Sequence, residues 1–212
     1  ATIFRQFRGA GSAFAIPVAL VTIAVVGYLV GHLAFGVPAL IAGLAVLGGS
    51  SLRFGDPDRT DWRSYAEVAV VFTLAFSLMI SIRAASPAIA PLPIAAGEKF
   101  LDYGLLRTIL RSAALPPEDM WFAGESVQYY YGGQLLTALL TILTGTAPWF
   151  AYNLALSGFY AALVTAAYGL TGAIAADHGA PRRLAAVIGA FFVGLAGNLY
   201  TAVQVAAWLL PS

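Results

Sequence analysis

Glu98 and Asp102 stand four residues apart in the stretch GEKFLDYGLLRTILRS, residues 97–112. On a helix that spacing brings two side chains to one face. Two carboxylates on one face can bind a divalent cation or serve as an acid/base site. The plainer alternative is a pair of solvated charges, since Glu98 is next to Lys99. A second stretch, PPEDMWFAGESVQYYYGG at 116–133, is the most distinctive in the chain. Pro116 and Pro117 stiffen its approach, and Asp119 adds an acceptor-only carboxylate. Trp121, Tyr129, Tyr130 and Tyr131 supply amphipathic aromatic surface. Successive residues of a helix point about 100° apart, so three consecutive tyrosines on a helix cannot all face one ligand. An aromatic belt at a membrane interface accounts for some of them. It does not account for Pro-Pro, Asp, Trp and Tyr-Tyr-Tyr gathered in one loop. Aromatic faces beside carboxylates are what a sugar ring needs for stacking and for hydrogen bonds to its hydroxyls. Further on, Asp177 and His178 could complete a metal site, and Arg182 with Arg183 could hold a lipid phosphate. A plain charged turn is the simpler alternative there. His32 reads as a packed or interfacial side chain, and Asn198 as an amide making a helix–helix hydrogen bond.

The elements that must position these residues are membrane spans. Of 212 residues, 60% are hydrophobic and 10% charged, and the mean hydropathy is +0.82. A soluble domain carries about 25% charged residues. A charge at mid-membrane costs on the order of 3 kcal/mol, so the shortfall is what a bilayer demands. A helix needs about 20 apolar residues to cross. Residues 13–36 meet this, and 38–52 form a shorter partner that opens with Pro38 in its first turn. Residues 65–85 form a third span with Glu67 and Arg83 near its ends, where each can snorkel. Further spans are expected at 129–146, 148–176 and 184–210. The prediction is therefore an all-α, polytopic bundle of about six transmembrane helices. It divides into N-terminal spans (1–85), one long loop (86–128) and C-terminal spans (129–212). The apolar residues Leu101, Leu105, Leu106, Ile109 and Leu110 predict a helix within the loop lying at the membrane surface, ended by Pro116–Pro117.

Six alternating spans put Arg5, Arg8, Arg53, Arg59 and Arg63 on one side of the membrane. Arg83, Lys99, Arg107, Arg111, Arg182 and Arg183 fall on the other. Five against six does not orient the chain by the positive-inside rule. Arg5 and Arg8 precede the first span, which favours a cytoplasmic N-terminus, an external long loop and residence in the plasma membrane. The net charge of +1 gives no basic field for nucleic acid. With no cysteine, disulfides, thiolate metal sites and cysteine nucleophiles are excluded. No Walker loop, dinucleotide fingerprint, HExxH or GxSxG occurs. The spans hold almost no mid-membrane charge, which argues against an ion or proton path.

These stretches together resemble the "YYY" membrane-protein family, named for its Tyr-Tyr-Tyr motif. The matching positions are Glu98, Lys99, Asp102, Pro116, Pro117, Asp119, Trp121, Gly124 and Tyr129 to Tyr131, with Gly197–Asn198–Leu199 in the last span. The resemblance covers roughly 95–200, close to half the chain. Family members are longer, so the chain is expected to be part of a longer protein. That family is in turn similar to the GT-C glycosyltransferases, polytopic enzymes that use a lipid-phosphate-linked sugar. Their first external loop carries a catalytic or metal-binding Asp and a Pro-Pro element, here matched by Asp102 and Pro116–Pro117. Their second often bears another acidic metal ligand, and Asp177 falls at about that place. Two extra spans at 13–52, and an Asp-His pair where an acidic doublet is usual, depart from that pattern.

The resemblance implies a GT-C-like glycosyltransferase moving a sugar from a polyprenyl-phosphate donor. Asp102 would be the base or a metal ligand, helped by Glu98 and Asp119. Trp121 and Tyr129 to Tyr131 would shape the sugar pocket, and Arg182 or Arg183 would contact the donor phosphate. Mg²⁺ or Mn²⁺ would be held by Asp102, Asp177 and His178. The alternative is a non-catalytic structural or docking subunit of a membrane protein complex, its aromatic loop facing a membrane protein partner.

Overall fold

The computed structural model describes residues 10–54, 61–85 and 99–196. Glu98 and Asn198 lie outside the described residues. Among the described residues seven α-helices follow in order: α1 (Ala15–Gly31), α2 (Val37–Phe54), α3 (Trp62–Ala85), α4 (Lys99–Arg111), α5 (Gly132–Thr144), α6 (Pro148–Asp177) and α7 (Arg182–Gly194). Among the described residues no strand forms beyond one isolated bridge between Glu118 and Ser126. The all-α expectation therefore holds.

Among the described residues three helices, α2, α3 and α6, are long and apolar enough to cross a membrane, while α1 and α5 are apolar but shorter. The run 129–146 is long enough for a span on composition alone. Its helix, however, begins only at Gly132, after the three tyrosines, and stops at Gly145, a left-handed residue with φ 66°. The resulting 13 residues of α5 rise about 20 Å, short of the roughly 30 Å of a hydrocarbon core.

The chain forms two compact units, each discontinuous in sequence. One unit takes in Ala1–Pro17, Asp56–Met79 and Phe159–Ser212. Its core is Ala75, Ala161 and Val164, with Val71, Phe72, Phe76 and Tyr160 packed around them. In this unit α3 and α6 run antiparallel, since Glu67 meets Tyr168 while Ala75 meets Ala161. The Ser12 and Ser64 hydroxyls hydrogen-bond at 2.6 Å, tying the chain just before α1 to the first turn of α3. Small residues let α7 lie close on α6. A Cβ at Gly172 would stand 3.1 Å from that of Ala186, and one at Gly189 would overlap the Thr171 side chain. Membrane helices pack in this way because lipid gives them no hydrophobic drive to associate.

The other unit takes in Val18–Gly55 and Ile80–Gly158. The α1–α2 turn passes through Gly36 at φ 89°, a conformation that favours glycine. The two helices close where Gly43 faces the backbone of Ile23, 3.3 Å from where a Cβ would be. Helix α4 packs on α5. Its periodic stripe of Leu105, Leu106 and Ile109 is buried, as are Leu135, Ala138 and Leu139 of α5. The stripe was expected to rest on lipid at the membrane surface. It covers a protein helix instead, because α5 presents an equally apolar face. The α4 helix ends at Arg111, five residues before Pro116, and the Leu115–Pro116 bond is cis. Two backbone bonds pin this exit to the end of α1: Leu115 N–H to Gly31 O at 2.8 Å, and Phe35 N–H to Ala113 O at 2.7 Å.

Candidate functional site

Asp102 lies in the first turn of α4, half-buried. The Gln134 amide, at the start of α5, donates to Oδ1 at 2.7 Å. The Tyr152 hydroxyl, in the second turn of α6, donates to Oδ2 at 3.4 Å. Tyr152 in turn meets the ring of Tyr103 edge-on at 6.3 Å. The Arg83 guanidinium lies 5.9 Å from the centre of the Tyr152 ring, and its Nε and Nη2 donate to Asn153 Oδ1 at 2.9 and 2.6 Å. Three helices thus orient one carboxylate through neutral donors. Sequence reasoning singled out Asp102 but none of its partners. The signal for Gln134 was an amide opening an otherwise apolar run, and for Tyr152–Asn153 two polar residues within a span.

Asp119 has a different role. Its Oδ1 accepts the backbone N–H groups of Trp121 at 2.8 Å and Phe122 at 3.2 Å, closing an Asx turn. Glu118 Oε1 accepts from Gly124 N–H at 2.8 Å, and Asp119 N–H donates to Glu125 O at 2.8 Å. Met120 seats this loop on α4, where a Cβ at Gly104 would overlap its sulfur. Asp119 is therefore occupied in building the loop that raises Trp121 and Phe122, 66% and 68% exposed, at its tip. Asp119→Ala is expected to loosen residues 119–125 by about 1 kcal/mol, read as faster amide exchange or proteolysis confined to that loop.

The three tyrosines precede α5 in non-helical chain. Off a helix, the step of about 100° that keeps consecutive side chains from facing one ligand does not apply to them. Tyr129 and Tyr130 stack at 4.1 Å, with the Tyr129 hydroxyl donating to that of Tyr130 at 2.8 Å. Tyr131 turns inward and is buried, 6.5 Å from the Tyr28 ring. Burial, and secondarily the neighbouring Tyr28, push the Tyr131 phenol above its usual pKa. These residues line an open hollow of about 490 Å³ with Tyr28, His32, Pro116, Val127 and Gln128. Sequence reasoning took His32 as packed or interfacial. It is exposed, beside Tyr28 (rings 4.5 Å apart), and borders the hollow. Trp121 is not among the lining residues.

The expected metal set of Asp102, Asp177 and His178 is not brought together. Among the described residues no three acidic or imidazole side chains form a group that could hold a metal ion. Asp102 bonds to Tyr152 near the start of α6, and Asp177 is that helix's last residue. His178 Nδ1 lies 2.9 Å from Ile174 O; a carbonyl can only accept, so Nδ1 carries a proton there. Arg182 and Arg183, expected at a donor phosphate, both pair with Glu67, at 3.5 and 3.6 Å, and Tyr168 donates its hydroxyl to the same carboxylate.

A family model described as Uncharacterized membrane protein (DUF2298) matches residues 22–212. No curated protein and no solved structure matches the chain.

Proposed function

The chain belongs to the DUF2298 family of membrane proteins, and from that premise we propose that it is a GT-C-like glycosyltransferase of polytopic design in the plasma membrane. It takes a sugar from a polyprenyl-phosphate donor on the external side. The observation that carries this reading is Asp102, a half-buried carboxylate held in one orientation by Gln134 and Tyr152. Both neighbours are neutral donors, so they fix the carboxylate without neutralising it, as a general base requires. In the proposed step Asp102 accepts the proton of an acceptor hydroxyl while its oxygen attacks the anomeric carbon. The bond from that carbon to the phosphate oxygen breaks, and polyprenyl phosphate leaves with the electron pair. The hollow of Tyr129, Tyr130, Tyr131, Gln128 and His32 offers the aromatic faces and polar edges suited to a sugar ring. Glu98 remains a candidate helper outside the described residues. Asp119 serves the site by shaping the loop. Arg182 and Arg183 pair with Glu67, and no step is routed through them. The described residues do not supply a three-ligand metal site, so no step is routed through a cation.

A docking subunit is the second reading, favoured by the exposed Trp121 and Phe122 on a braced turn. The test is transfer of labelled sugar from a panel of polyprenyl-phosphate donors by the purified protein in proteoliposomes. Transfer dependent on Asp102 supports the enzyme. If no donor is turned over, and a membrane protein co-purifies with the wild type but not with Trp121→Ala/Phe122→Ala, the docking reading replaces it.

A further inference from the structure

The loop between α4 and α5 is fixed at the end of a helical hairpin in its own unit, Val18–Gly55 with Ile80–Gly158. The bonds from Leu115 N–H to Gly31 O and from Phe35 N–H to Ala113 O tie the base of the loop to the turn joining α1 and α2. Helix α2 starts just after that turn, at Val37, and is long and apolar enough to cross a membrane. A spanning helix ends at an interface, so the α1–α2 turn and the loop base share that depth. The turn presents apolar side chains outward, with Leu33 87% and Val37 56% exposed. Arg111, exposed in the last turn of α4, comes just before the tied segment.

The tip of the loop shows aromatic rings and keeps its backbone donors to itself. Trp121 and Phe122 point outward, while their N–H groups both go to Asp119 Oδ1. Gly124 N–H goes to Glu118 Oε1, and Glu125 N–H to Phe122 O at 3.1 Å. The Glu118–Ser126 bridge and the bond from Val127 N–H to Pro117 O at 3.0 Å close the loop behind them. Water satisfies such N–H groups on a turn in solution. A turn that enters the head-group region loses that water and needs internal partners. Trp is also the side chain enriched at membrane interfaces, where an apolar ring and a polar N–H are both accommodated.

We infer that the Trp121–Phe122 tip is an interfacial anchor, entering the lipid head-group region at the α1–α2 end of its unit. Lipid, not protein, is then what covers the two rings. The anchor holds Pro116 and Val127, on the rim of the tyrosine hollow, at the membrane surface. The Arg111 guanidinium near the loop base suits a lipid phosphate. Neither functional reading is needed for this contact, which follows from the loop and the hairpin alone.

The chain has no cysteine, so Ala123→Cys, at an exposed position of the tip, takes a single nitroxide label. In proteoliposomes of phosphatidylcholine the label should collide more with apolar oxygen than with a water-soluble nickel chelate. Adding Trp121→Ser/Phe122→Ser should abolish that preference. A label open to the nickel chelate with both rings in place overturns the anchor, and this arm needs no change to either ring. An oxygen preference that survives the double substitution overturns it too. A water-exposed label, together with a membrane protein that co-purifies through Trp121 and Phe122, assigns the tip to a protein partner instead.

Discussion

Asp102→Asn is expected to lower the rate of sugar transfer by about 10²–10⁴-fold, the range general-base catalysis contributes. The substitution keeps an oxygen to accept from Gln134 or Tyr152 and removes only the ability to take a proton. The fold and donor affinity should change little, so the loss should fall on kcat and leave KM near the wild-type value. Gln134→Leu should act more mildly. It removes the shorter of the two bonds to Asp102, 2.7 Å against 3.4 Å from Tyr152. The carboxylate then keeps its chemistry but loses its orientation, and Asp102→Asn/Gln134→Leu should be no slower than Asp102→Asn. Thermal unfolding of each variant in detergent separates a lost base from a lost fold.

Gly189→Leu is expected to have the largest effect on stability. A Cβ there overlaps Thr171, and the obstructing atoms include Thr171 Cβ itself. A β-branched side chain on a helix has little rotamer freedom to move aside. Overpacking of this kind costs about 1–3 kcal/mol, and the strain acts where α7 is anchored by Arg182 and Arg183 to Glu67. The variant should unfold at lower temperature in detergent. Gly189→Ala paired with Thr171→Gly should recover most of the loss, because the new Cβ then has space. By contrast, Gly48→Ala, with open space around it, should leave Tm unchanged.

Helix existence was legible because it depends on local pattern. The 60% hydrophobic composition announces membrane helices, and the stripe through Leu105, Leu106 and Ile109 announces α4. What that stripe would cover was not legible, since α5 lies some 30 residues further on. One element reads differently in the structure from the sequence. Tyr129 to Tyr131 are apolar enough to extend the run 129–146, yet they sit in non-helical chain and Gly145 ends the helix early. Asp119 also carries a local turn signal: an acidic residue two positions before Trp121, with Gly124 beyond, is turn chemistry, and its Oδ1 accepts the backbone N–H groups of Trp121 and Phe122. Asp102 was legible from its spacing to Glu98. Gln134 and Tyr152, 32 and 50 residues away, reach it only through tertiary packing.

The central claim is that Asp102 takes the proton of an acceptor hydroxyl as a sugar leaves polyprenyl phosphate. A single-turnover measurement tests it most directly: wild type and Asp102→Asn, each in proteoliposomes preloaded with labelled polyprenyl-phosphate sugar, are followed for release of polyprenyl phosphate after acceptor is added. The account expects a burst from the wild type that is absent from Asp102→Asn at equal donor occupancy. Equal bursts from both proteins, or donor bound by the wild type without any release, would contradict it.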